Sequence, residues 1–130
     1  MIDHIGFPVL DLNRARTFYD RALASLGIGL VMEVTEEMIG GHGAHLGYGR
    51  DGKPFFWIGS GRAAVAATHV ALSAPDRATV DAFHAAALAA GGRDNGAPGL
   101  RPDYHPGYYA AFVLDPDGNN IEAVHHGEPA

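Results

Sequence analysis

The sequence predicts an α+β domain of two tandem βαβββ modules whose sheets curl around a shared cleft. Three observations carry this: an internal repeat, hydrophobic periods that switch between strand-like and helical, and a turn dipeptide ahead of each module's last strand. Sliding the chain by 65 positions lays His4-Ile-Gly-Phe-Pro-Val-Leu-Asp11 over His69-Val-Ala-Leu-Ser-Ala-Pro-Asp76. From His4 to Gly27 this register gives seven identities in 24 positions, and the His, Asp, Phe and Gly matches fall where the pattern is punctuated.

The elements follow in order. Ile5, Phe7 and Val9 alternate with His4, Gly6 and Pro8, a strand with one apolar face. Asp11 is placed to cap a helix, along which Ala15, Phe18, Tyr19, Ala22, Leu23 and Leu26 recur at helical spacing until Gly27 stops it. The second copy repeats the plan with Val70 and Leu72, the cap Asp76, then Val80, Phe83, Ala87 and Leu88, closed by Gly91-Gly92. Further strands are expected at 28–34, 44–48 and 54–59, then a weak one near Arg93, and at 108–114 and 119–125. Asp51-Gly52 and Asp117-Gly118 are the turn dipeptides. The modules span about residues 1–60 and 66–126 of a single domain, 1–130, with 60–67 as linker.

Composition excludes several classes of partner. The net charge is −6 and Lys53 is the sole lysine, so neither nucleic acid nor an anionic membrane surface is expected to bind. With no cysteine there are no disulfides, thiolate ligands or Cys nucleophiles. The longest apolar run, Ala63 to Ala74, is too short to span a bilayer, and Met-Ile-Asp-His does not open a secretory signal. A cytoplasmic protein is expected.

Side-chain alternation then selects a site. If Ile5, Phe7 and Val9 pack under the helix, His4 faces the other side of the sheet, and the same reasoning turns His69 and Glu122 to that side. Their neighbours on that face, Gly6, Ala71 and Ser73, are small and leave room for a ligand. Two imidazoles and a carboxylate on rigid strands form a 2-His-1-carboxylate set for one divalent ion among Fe, Mn, Zn, Ni and Co. A lone histidine is a weak signal, but His4 and His69 hold equivalent positions in the repeat. The bland alternative is Glu122 hydrogen-bonded to one histidine with no metal.

Other residues are lesser candidates. Tyr104-His105-Pro-Gly-Tyr108-Tyr109 precedes a core strand, which makes Tyr104 and Tyr109 candidates for substrate contact and His105 for an acid or base. Of Phe56 and Trp57, also assigned to substrate, one should enter the cleft and one the core. His42 and His45 read as loop residues, and His125-His126 as solvated. Gly47-Tyr-Gly49-Arg-Asp-Gly52 matches a dinucleotide-binding pattern, but a strand-like Lys-Pro-Phe-Phe-Trp follows where a helix is required.

His-Ile on the first strand, Phe-Tyr in the first helix and Phe-Val-Leu-Asp-Pro-Asp-Gly-Asn-Asn-Ile-Glu at 112–122 resemble the vicinal oxygen chelate superfamily. Its members include glyoxalase I, type I extradiol dioxygenases, and fosfomycin- and bleomycin-resistance proteins. The resemblance covers essentially the whole chain. It implies His4, His69 and Glu122 as metal ligands, a small oxygenated substrate, a dioxygenase-like or lyase activity and a homodimer. A metal-free drug-binding protein of the bleomycin-resistance kind is the alternative. Glyoxalase I carries a further ligand on the last strand of the first module. Counting four residues on from the turn glycine, as Gly118 leads to Glu122, Gly52 leads to Phe56, which cannot ligate. Nor does any Lys or Arg follow Glu122 to hold a phosphonate, so fosfomycin fits poorly.

Overall fold

The computed structural model describes residues 2–35, 44–61 and 68–127. The order is β1 (Ile5–Val9), α1 (Leu12–Ala24), β2 (Gly29–Val34), β3 (His45–Arg50), β4 (Lys53–Ser60), then β5 (His69–Ser73), α2 (Arg77–Ala89), β6 (Arg93–Leu100), β7 (Tyr108–Leu114) and β8 (Asn120–His126). The strands form two four-stranded sheets, β1-β4-β3-β2 and β5-β8-β7-β6. In each, the first strand of the module pairs in parallel with its last strand, and the other pairings are antiparallel. This is βαβββ twice, as the repeat predicts.

Local chemistry explains the boundaries. Asp11 and Asp76 cap their helices, each carboxylate accepting from the backbone N–H three residues on. Asp51 and Gly52 both take positive φ, 53° and 75°, the geometry a two-residue hairpin needs between β3 and β4. His45, expected in a loop, opens β3, where it pairs with Gly59. The weak segment near Arg93 is a full eight-residue strand, β6, broken by register shifts at Gly96 and Gly99. Its glycines and proline mute the strand signal. His42 and most of the expected linker lie outside the described residues.

One hydrophobic core serves both modules, because α1 and α2 pack on each other and on the inner faces of their sheets. Phe18, Tyr19, Tyr48, Phe56 and Phe83 are its largest fully buried side chains. A buried polar link joins the modules: Tyr19 on α1 donates to Asp115 after β7 at 2.6 Å. The other faces of the sheets, turned away from the helices, carry the site. Among the described residues, no helix is long and apolar enough to cross a membrane.

Candidate functional site

On the second sheet, β5 and β8 run side by side with Ala71 opposite Glu122. Glu122 is 2% exposed and makes two contacts. Its Oε1 lies 3.1 Å from His69 Nε2, and its Oε2 accepts from the Tyr108 hydroxyl. The Phe112 ring stacks on the imidazole, with centroids 6.3 Å apart. Burial, then the bond to Glu122, pushes the Tyr108 phenol up to about 12, so it stays a donor at neutral pH.

The proton on His69 can be placed. Nδ1 lies 3.2 Å from the Asn120 carbonyl oxygen, which only accepts, so Nδ1 carries the hydrogen and donates. A neutral ring in that tautomer aims its Nε2 lone pair at the acceptor oxygen of Glu122. Two lone pairs at 3.1 Å repel unless a proton or a cation lies between them.

His4 is prepared in the same sense by a different group. Its Nδ1 donates to Asp3 Oδ1 at 2.7 Å, and Lys53 Nζ holds Asp3 Oδ2 at 2.7 Å. The hydrogen bonds from Lys53 and then His4 keep the Asp3 carboxyl below the usual carboxylate range. A carboxylate behind Nδ1 fixes the tautomer and leaves Nε2 free, the usual support of a ligating histidine. Both equivalent histidines therefore present Nε2.

The three expected ligands do not all meet. Among the described residues no three His, Asp or Glu side chains gather to hold a metal ion. His69 and Glu122 are together, while His4 stands on the first sheet, bordering with His69 a cavity of about 490 Å³ that also touches Lys53, Phe55 and Ala71. The reason is topological: β1 and β5 belong to separate sheets. The donor chemistry fits a divalent cation, with two of the three groups already converged.

The other candidates divide. Phe56 is fully buried, edge-on to Phe7 at 5.5 Å and tilted against Tyr19 at 5.1 Å, so it borders the 490 Å³ cavity while its ring packs in the core. The parallel ladders show why counting from the turn misled. Gly6 pairs with Trp57 as Ala71 pairs with Glu122, so Trp57 holds the position of the first-module ligand. Tyr109 is also corrected: its hydroxyl donates to Asp81 on α2 at 2.6 Å and Arg77 lies over its ring, on the helix side of the sheet. Tyr104 is exposed and packs edge-on to Tyr108, while the His105 ring meets His126 at 6.0 Å rather than the His69–Glu122 pair. His125, expected to be solvated, is part-buried with Nδ1 3.1 Å from the Ala74 carbonyl oxygen.

Sequence reasoning missed Asp3, Asn120 and the role of Tyr108. Two signals existed: an acid directly before His4, and β7–β8 pairing that sets Phe112 opposite Glu122 and so puts Tyr108 on the same face.

Comparison with known proteins agrees with this architecture. Residues 1–123 match the Glyoxalase/Bleomycin resistance protein/Dioxygenase superfamily. A glyoxalase/bleomycin resistance protein from Albidiferax ferrireducens T118 is similar at 31% identity and TM-score 0.78, with 98% of this chain and 99% of that one covered. Two more distant structures share the fold. A glyoxalase/bleomycin resistance protein/dioxygenase family enzyme from Burkholderia phytofirmans PsJN has 18% identity and TM-score 0.69 over 96% of this chain and 98% of its own. Glyoxalase I from Zea mays has 21% identity and TM-score 0.69 over 95% of this chain but 45% of its own. Among curated proteins none matches. The chain belongs to the Glyoxalase/Bleomycin resistance protein/Dioxygenase superfamily.

Proposed function

We propose that this protein is a cytoplasmic, divalent-metal-dependent enzyme acting on a small oxygenated substrate that chelates the metal, with dioxygenase-like or glyoxalase-like (lyase or isomerase) chemistry. The observation that carries the reading is the placing of His69, whose Nδ1 lies 3.2 Å from a backbone carbonyl oxygen while its Nε2 lies 3.1 Å from an oxygen of the buried Glu122 carboxyl. His69, Glu122 and His4 would hold the ion. When bound, the metal supplies Lewis-acid polarisation of the substrate's oxygens or, as iron, activation of O₂. The chain's own contribution is positional. Tyr108 keeps one oxygen of Glu122 occupied and the other presented, Phe112 fixes the His69 ring plane, and Asp3 fixes that of His4.

Trp57 stands where a fourth protein ligand would be placed, and an indole does not ligate. Coordination positions are thereby left for a bidentate substrate. The test is turnover after anaerobic Fe(II) loading and after Ni, Zn or Mn loading, offering catechols with O₂ and methylglyoxal with glutathione. Metal-dependent turnover of either class is expected. Stoichiometric binding of a flat drug by metal-free protein, with no turnover, favours the bleomycin-resistance alternative.

A homodimer with the cleft near or across its interface belongs to the same proposal. Strands β1, β2, β5 and β6 are all sheet edges, and the ligand set is divided between the two sheets. Sedimentation velocity at tens of micromolar, a range in which a standard interface holds, should give twice the chain mass. A monomer contradicts this part.

A further inference from the structure

The first sheet's open face has an unusual construction. Across β1, β4 and β3 one row reads Gly6, Trp57, Gly47 and the next reads Pro8, Gly59, His45. Glycine is expensive in strand interiors, since it adds chain entropy and packs nothing. Here Gly47 and Gly59 each lie under a ring. A Cβ on Gly47 would stand 2.8–2.9 Å from three carbons of the indole's six-membered ring, and one on Gly59 would stand 2.5 Å from the His45 ring. Any other residue at Gly47 would lift the indole off the sheet. The two rings therefore lie down on the backbone, partly exposed, as the floor of an open cavity of about 680 Å³. Asp3, His4 and Lys53 border the same cavity, so the floor reaches a proposed metal ligand.

We propose that this floor is a stacking subsite for a flat, conjugated ring, which makes the substrate a planar aromatic compound whose oxygens reach toward His4. A face-on indole offers a broad, polarisable surface to another π-system, and offset stacking selects flat partners over puckered ones of equal size. Leu or Met at position 57 would give an apolar surface without that selection, and a strand of ordinary β-formers would fill the space the ring needs. The inference names the substrate class of the site read above and rests on that reading. Its test is nevertheless separable, because the floor lies on the first sheet and needs no metal.

Trp57 is the sole tryptophan, so one indole N–H resonance reports the floor directly. The full-length protein is titrated with 2-naphthol and, separately, with its saturated analogue decahydro-2-naphthol, in chelator and again with added metal. The expected result is a saturable upfield shift of that resonance by naphthol under both conditions, with the saturated alcohol at least about threefold weaker. By calorimetry, Trp57→Leu and Gly47→Ala should each reduce naphthol affinity to the level of the saturated alcohol. Equal affinity of the two alcohols for the wild type, or unchanged naphthol affinity in Trp57→Leu, overturns the proposal. A shift seen in chelator together with no metal binding at all retains the stacking subsite and rejects the metal enzyme.

Discussion

Phe56→Ala should destabilise the protein by about 3–5 kcal/mol, the usual loss for a fully buried aromatic side chain. Trp57→Ala, one residue on, should cost about 1 kcal/mol or less, because part of the indole is already in water. The contrast follows from strand alternation. Phe56 is fully buried among Phe7, Tyr19 and Tyr48 under α1, while Trp57 lies on the open face over Gly47. Urea unfolding followed by far-UV circular dichroism measures both. Equal losses, or a larger loss at Trp57, would mean that β4 is turned over and that the ligand-equivalent position has been misassigned.

Asp115→Ala should lower stability by a comparable amount, about 3–5 kcal/mol. The carboxylate is 2% exposed and accepts from the Tyr19 hydroxyl, the backbone N–H groups of Asp117 and Asn119, and the Asn119 side-chain amide, at 2.6–2.9 Å. Among the described residues no buried side-chain polar atom lacks a partner, so removing this acceptor would strand donors that are now satisfied. Tyr19→Phe removes one of these bonds and should cost less, about 1.5–3 kcal/mol for a hydrogen bond to a charged group.

A pH signature accompanies that pair. Burial first, and then the charge of Asp115, raise the Tyr19 phenol well above its ordinary value. The folded chain thus binds this proton more tightly than the unfolded one. The stabilisation is complete below the ordinary phenol value of about 10 and is lost as pH rises beyond it. Tyr19→Phe should be less stable at neutral pH and should decline less steeply in alkali. Parallel alkaline declines in the two proteins would show that Tyr19 does not carry the effect.

The repeat explains how much was legible in the sequence. Asp11 and Asp76 cap their helices in the same way and His4 and His69 hold equivalent positions in the repeat, so a shift of 65 positions exposes all four, and period two turns His69 and Glu122 to one face. Register was harder to read. Glu122 and Trp57 are matched by the parallel β5–β8 and β1–β4 ladders, whereas counting from the turn glycine depends on hairpins that differ in length. Tyr109 failed for a related reason, since Tyr108 and Tyr109 look alike in sequence but point to opposite faces. Whether His4 reaches the His69–Glu122 pair is set by how two unpaired sheets are arranged, which no local pattern encodes. Gly47, which belongs to a nucleotide-like glycine pattern in the sequence, has its use beneath Trp57.

The most direct test of the metal assignment is the number and affinity of divalent ions bound per chain, by titration calorimetry with elemental analysis. The wild type should bind one. His69→Ala and Glu122→Gln should abolish tight binding, and His4→Ala should weaken it strongly. Tyr108→Phe should keep the stoichiometry but lose about 10- to 100-fold in affinity, as expected when the support of a ligand is removed. His45→Ala and His126→Ala should bind like the wild type. Binding should also weaken on acidification, because protons compete for the free imidazole nitrogens. Stoichiometric binding that survives His69→Ala and Glu122→Gln, or no binding of any divalent ion by the wild type, contradicts the assignment of these residues as a metal centre.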